Sequence, residues 1–243
     1  MRCNPRIAAG LTLGAVALAT FGLAASAVSA EGTIPQAANR AVVFNHSSAK
    51  ITNPFLPISK FHRTVLKGVD TGQHLRVVRT LRHRTKAFRY HHSPVKAAVV
   101  HDVVTDVKAH RVIEKTVDYF AQDTAGTVYY LGEDVNEYAP HKPVSHEGQW
   151  RLGRDTQTPG ILMPAHPKLG DSYKSEDVPG VTHETDHIVA VGRNERVAGR
   201  RYHHVIKVRE NAGPPPEVEF KTYAPGTGVI TEANGGVHLI SSR

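Results

Sequence analysis

Along most of this chain apolar and polar residues alternate with a period of two, in short runs rich in Val, Ile, Thr and Tyr that Gly, Pro and Asp clusters separate. Successive side chains of an extended chain point to opposite faces of a sheet, so the pattern predicts strands. They fall near residues 61–68, 74–81, 96–108, 112–122, 127–131, 148–152, 172–177, 183–191, 202–210, 217–223, 229–232 and 237–240. No long stretch carries a 3.6-residue period, and there is no internal repeat. About a dozen short strands in succession are best accommodated by a curved antiparallel sheet or a barrel-like meander, since curvature or closure protects edge strands. The expected fold class is mainly β.

The clearest hairpin spans 112–131, with Asp123-Thr124-Ala125-Gly126 as its turn and Gly126 able to supply positive φ. Pairing Gln122 with Thr127 sets Phe120 against Tyr129 and Asp118 against Leu131. One face then carries Val117, Tyr119, Ala121, Val128 and Tyr130, the expected core. The other carries Asp118, Phe120, Gln122, Thr127, Tyr129 and Leu131, aromatic bodies with a few polar anchors of the kind that line small-molecule cavities. A half-solvated outer face is the alternative for that surface. Glu133 and Asp134 follow, within reach of a cation or a basic ligand group. The candidate ligand-binding residues are thus Asp118, Phe120, Gln122, Asp123, Tyr129, Glu133 and Asp134, with Tyr138 beyond them.

Residues 1–30 read as a secretory signal peptide. Arg2 and Arg6 precede an apolar, acid-free run to Val28, and Val28-Ser29-Ala30 offers a small-x-small cleavage site. An uncleaved N-terminal anchor is the alternative. No other stretch is apolar for the ~20 residues a bilayer requires, so no transmembrane segment is expected after cleavage. Residues 31–52 read as a poorly ordered leader and 53–243 as a single β domain, expected to be a monomer, secreted or otherwise extracytoplasmic. Cys3 is the only cysteine and lies ahead of the apolar run. The mature chain is then cysteine-free, which removes disulfides, thiolate catalysis and cysteine metal sites from consideration. A net charge of +8 makes anionic envelope polymers a candidate partner, although ordinary solubility accounts for it too. Scattered basic residues without a recognition motif argue against nucleic acid. The Rossmann fingerprint, the P-loop and the G-x-S-x-G elbow are all missing, and no cofactor is expected.

Three blocks carry a resemblance. They are Tyr119-Phe120-Ala121-Gln122-Asp123 running through Gly126 into Thr127-Val128-Tyr129-Tyr130-Leu131-Gly132-Glu133-Asp134-Val135, with Tyr138; Pro159-Gly160-Ile161-Leu162-Met163-Pro164-Ala165 with Gly170-Asp171-Ser172-Tyr173; and Tyr223-Ala224-Pro225-Gly226-Thr227-Gly228. In that order they resemble a family of uncharacterised secreted bacterial proteins, over roughly residues 53–232. The resemblance implies an extracytoplasmic, mostly β domain and supplies no catalytic residues. In that pattern the stretch after Pro179-Gly180 tends to be acidic, whereas here it carries histidine.

His183-Glu184-Thr185-Asp186-His187 matches the H-E-x-x-H string of zinc peptidases, whose chemistry needs both imidazoles on one face of a helix. Pro179-Gly180 and Gly192 bound a segment rich in β-branched residues, which favours a strand. In a strand the two imidazoles share a face but lie about 13 Å apart, too far for one zinc with bonds of ~2.0–2.1 Å. The adjacent pairs His91-His92 and His203-His204 point to opposite faces and do not chelate as units. The expected function is a non-catalytic binding protein of the cell envelope or extracellular space, taking a small, partly apolar or lipid-like ligand. A zinc-dependent hydrolase centred on His183, Glu184 and His187, or a histidine-based metal-binding protein among these 16 histidines, is the alternative.

Overall fold

The computed structural model describes residues 42–139, 142–213 and 217–243. The expected signal peptide and the first half of the expected leader, 31–41, lie outside the described residues. One antiparallel sheet of 14 strands makes up the body. In chain order these are β1 (Arg63–Asp70), β2 (Gln73–Tyr90), β3 (Ser93–Asp106), β4 (Arg111–Gln122), β5 (Val128–Ala139), β6 (Lys142–Ser145) and β7 (Trp150–Arg151). They continue with β8 (Gly160–Met163), β9 (Ser172–Val178), β10 (Thr182–Val197), β11 (Arg200–Ala212), β12 (Glu217–Ala224), β13 (Gly228–Glu232) and β14 (Val237–Ser242). The spatial order is β6-β5-β4-β3-β2-β1-β14-β13-β12-β11-β10-β9, and β7 and β8 both pair with β5. Two 3₁₀ turns, Ile58–Lys60 and Ala233–Gly235, interrupt the extended chain.

The sheet curls because its buried side chains converge on one cluster. Val128 and Tyr130 near one end of the strand order pack in the same inner core as Tyr173, Ile188 and Val208 from the other end. Trp150 of β7 spans the gap, stacking edge-on against Tyr130 at 5.5 Å and donating its indole N–H to Glu176 of β9 at 3.0 Å. Beside it Gly160 presses its backbone on Ser175, so closely that a Cβ there would stand 1.8 Å from the Ser175 carbonyl oxygen. The sheet comes near to closing there, yet no hydrogen-bonded ladder joins β8 to β9. A second cluster covers the outer face of β2–β5, where Phe88, Val99, Tyr119, Ala121, Tyr129 and Leu131 pack together.

The mainly β class and the curved antiparallel sheet agree with the pattern of the sequence. Three details differ. The hairpin register is offset by one residue: Gln122 pairs with Val128, Ala121 with Tyr129 and Phe120 with Tyr130, and a bulge then sets Asp118 opposite Glu133. A one-residue slip exchanges the faces of one strand relative to the other. Asp118 and Phe120 therefore share the inner face with Val128 and Tyr130, while Tyr119, Ala121, Tyr129 and Leu131 share the outer one. The strands at 142–145 and 160–163 were not anticipated, being too short to show a period. Finally, the end of the expected leader is packed, with Ile51 fully buried and Phe44 edge-on to Tyr90 and Tyr129.

Candidate functional site

Residues 51–61 form a strap across the inner core, and Asn53 fastens it. The Asn53 amide donates to the carbonyls of Gly126 and Pro164, and its Oδ1 accepts from the backbone N–H groups of Phe55 and Leu56. Ser59 Oγ accepts from the Ile51 N–H, and Lys60 Nζ reaches the Gly226 carbonyl. Beneath the strap lies a cavity of about 80 Å³, walled by Leu56, Leu66, Leu81, Val100, Phe120 and Val229. Arg79 and Asp118 are its charged lining.

The polar end of the cavity is a buried charge network. Arg79 Nε lies 2.7 Å from Asp102 Oδ2 and its Nη1 2.6 Å from Glu232 Oε1. Burial works against the guanidinium charge, but Glu232 and Asp102 outweigh it and raise the arginine pKa. Burial also lifts Asp102, to about 6, with Arg79 pulling the other way. Asp118 accepts from Tyr130 Oη at 2.9 Å and from Thr116 Oγ1 at 3.3 Å. Burial, reinforced by the charge of Asp102, raises it to about 8. Near neutral pH this carboxyl is largely protonated, so it both donates and accepts hydrogen bonds.

The eight residues singled out in the sequence divide between the two faces. Asp118 and Phe120 line the cavity. Gln122 secures the strap by accepting from the backbone N–H groups of Thr52 and Asn53. Asp123 closes the β4–β5 turn, accepting from Ala125 and Thr127. Tyr129 packs on the outer face under Phe44. Glu133 is buried on the inner face, where desolvation and the charge of Glu176 raise its pKa. Asp134 points outward to Arg151 and Tyr119; burial would raise it, and those two partners lower it further than burial lifts it. Tyr138, near the end of β5, has Lys115 Nζ 5.3 Å from its ring centroid. Alternation along β2, where Leu75, Val77, Arg79 and Leu81 follow at intervals of two, contained the signal for Arg79 as an inward charge.

The H-E-x-x-H string lies within β10, not on a helix. His183 is exposed and pairs with Asp177 at 2.7 Å, whereas Glu184 is buried on the opposite side with Ser175 Oγ at 2.7 Å. The imidazoles and the glutamate thus face apart, which is the reverse of what a zinc peptidase needs. Comparison with protein-family models, with curated proteins and with solved structures finds no match. The reading of this site rests on its own geometry.

Around the cavity the inner face carries a belt of buried carboxylates that the sequence reading did not foresee. Asp102, Glu114, Asp118, Glu133, Glu176, Glu184, Asp186, Glu210, Glu219 and Glu232 are all under a tenth exposed. Arg79 serves one end of the belt and Lys221 the other, with Lys221 Nζ 2.7 Å from Glu210 Oε2. Burial raises Glu176 to about 7 and Glu219 to about 8. Protons on such groups replace missing countercharges. Among the described residues no helix is long and apolar enough to cross a membrane.

Proposed function

We propose that this protein is a non-catalytic, secreted binding protein that takes a small, partly apolar ligand beneath the strap at 51–61. The observation that carries this reading is the cavity itself, apolar walls converging on Arg79 and Asp118 at one end. At about 80 Å³ it admits a short alkyl chain or a small ring, given that a single water occupies ~10–15 Å³ of such volume. The polar end of the ligand meets a guanidinium already paired with carboxylates and a carboxyl that carries a proton near neutrality. A donor–acceptor head such as an alcohol suits that pair better than a second anion or an ammonium ion, which has no acceptor to offer Arg79.

Trp150 supplies the assay. Phe120 lines the cavity and stacks on Tyr130 at 5.1 Å, and Tyr130 meets Trp150 at 5.5 Å, so the only tryptophan sits two rings from the ligand. A homologous series of n-alkyl alcohols, amines and carboxylates is titrated against Trp150 fluorescence and melting temperature. Saturable binding is expected for wild type, with alcohols ahead of amines and carboxylates of equal length. Leu81→Trp at the half-buried rim fills the cavity, and it is expected to abolish binding, read by calorimetry, without lowering the melting temperature. Absence of binding across the series, or binding untouched by Leu81→Trp, refutes the reading.

A further inference from the structure

We infer that Glu184, Asp186 and Glu210 bind one hard divalent cation of calcium's size on the inner face of the sheet, independently of the cavity beneath the strap. One oxygen from each carboxylate lies within 4.8 Å of the others. Calcium–oxygen bonds run to ~2.3–2.6 Å, so donors on opposite sides of the ion stand roughly 4.6–5.2 Å apart and adjacent donors closer. The three side chains therefore span such an ion with the backbone as it is.

When these carboxylates are ionised, the register leaves the cluster with an unbalanced charge. Asp186 stands directly opposite Glu210 across β10 and β11, and Glu184 opposite Glu176 across β9 and β10. Like charges in opposed positions destabilise a sheet, and burial removes the water that would screen them. Lys221 offsets one of them through Glu210. Ser175 Oγ lies 2.7 Å from Glu184 Oε1 and 3.0 Å from Asp186 Oδ1, but a hydroxyl has a single proton to give. The second oxygen of Glu184, Oε2, is buried with no hydrogen-bond partner.

A second observation comes from outside the carboxylates. Tyr173 on β9 pairs with Asp186 and is 8% exposed, and its hydroxyl is buried with no hydrogen-bond partner. After burial itself, the charges of Asp186, Glu210 and Glu184 are among those that bear on that phenol. Native proteins rarely leave a buried hydroxyl unpaired, and this one belongs to a side chain on the same inner face as the three carboxylates. An all-oxygen donor set selects calcium, magnesium or manganese over zinc or copper, and this spacing favours the largest of the three. Such an ion joins β10 to β11 and, through Tyr173 and Ser175, holds β9 at the free edge of the sheet. Fraying of that edge strand gives solvent ions a route in.

The test uses the full chain stripped with chelator, titrated calorimetrically with calcium, magnesium, manganese and zinc chlorides, and with terbium followed by tyrosine-sensitised luminescence. One calcium per chain and a rise in melting temperature are expected. Asp186→Asn and Glu210→Gln should each weaken calcium by at least about tenfold; chelated Asp186→Asn should melt no lower than chelated wild type, whereas Glu210→Gln also gives up the ion pair with Lys221 and melts lower with or without metal. Tyr173→Phe should cut the sensitised terbium emission. Failure of wild type to bind calcium, or calcium affinity unchanged in both charge-neutral variants, overturns the inference. Zinc binding that survives Asp186→Asn but not His183→Ala overturns it as well, since the metal then sits on histidine. If the charge-neutral variants fail to fold, wild-type stoichiometry and the Tyr173→Phe emission still decide.

Discussion

Replacing Arg79 by methionine probes the charge network at the cavity floor, and the cost should depend on pH. Arg79 is 15% exposed and bridges Asp102 and Glu232, which are 0% and 2% exposed. Removing one partner of a buried ion pair costs about 3–5 kcal/mol, because the charge left behind has no water to turn to. Asp102, however, can take a proton instead. Its pKa in the fold is about 6, above the ~3.9 of an unfolded chain. A group raised in this way gives its full contribution below pH ~4 and loses it as pH climbs through the folded value. The Arg79 charge is the main influence pulling Asp102 down, so in the variant the folded pKa climbs and the loss continues above pH 6. Each pH unit is worth about 1.4 kcal/mol per group, so from pH 6 to 8 the variant should lose roughly 3 kcal/mol beyond wild type. For a chain of this size that is on the order of 6–12 °C in melting temperature. Thermal and urea unfolding by far-ultraviolet circular dichroism, at pH 6 and pH 8 and matched ionic strength, reads the difference. An equal loss at both pH values would refute the argument that protonation substitutes for the arginine.

Other consequences follow from the same contacts. Asp118→Asn mimics the protonated carboxyl, whose folded pKa is about 8; the variant should match wild type below about pH 4 and exceed it in melting temperature by pH 9, because wild type loses stability as pH climbs from about 4 through 8. Gly160→Ala should cost about 3 kcal/mol by denaturant titration, since its methyl group lands on the Ser175 carbonyl; a neutral result would mean that β8 and β9 are not held in contact. Asn53→Ala removes four hydrogen bonds from the strap, and hydrogen exchange at Phe55 and Leu56 should accelerate while exchange in β11 stays unchanged.

Strands were legible where one buried face leaves a period-two trace, as in Leu75–Val77 and Val237–Leu239, and where β-branched residues crowd a strand buried on both faces, as in Val95–Val104. Strand length was not. β2 continues through Arg82-His83-Arg84-Thr85-Lys86, an exposed polar run that looks like a strand end; its register with β3 shifts after Leu81 and resumes at Thr85. The β4–β5 register was missed because the turn takes in Thr127 as well, its ends joined by the Asp123 N–H donating to the Thr127 carbonyl and by the Thr127 N–H donating to Asp123 Oδ1, and the bulge beside Tyr119 shifts it again. Of the cavity, Asp118 and Phe120 were found through the aromatic–polar alternation of their strand. Leu66, Leu81 and Val229 were not, since only the curl of the sheet and the strap bring them together. The carboxylate belt escaped notice because charged residues at alternating positions, such as Glu184 and Asp186, read as a solvated face. What marks them as inward is their parity with Ile188, two residues further along the same strand.

The most direct test of ligand binding beneath the strap is a methyl-resolved NMR titration with hexanol. The methyl groups of Leu66, Leu81, Val100 and Val229 should shift together and saturate at one equivalent, while those of Val95, Val99 and Leu131 on the outer face remain still. Shifts confined to the outer face, or drifting without saturation across both faces, would contradict it.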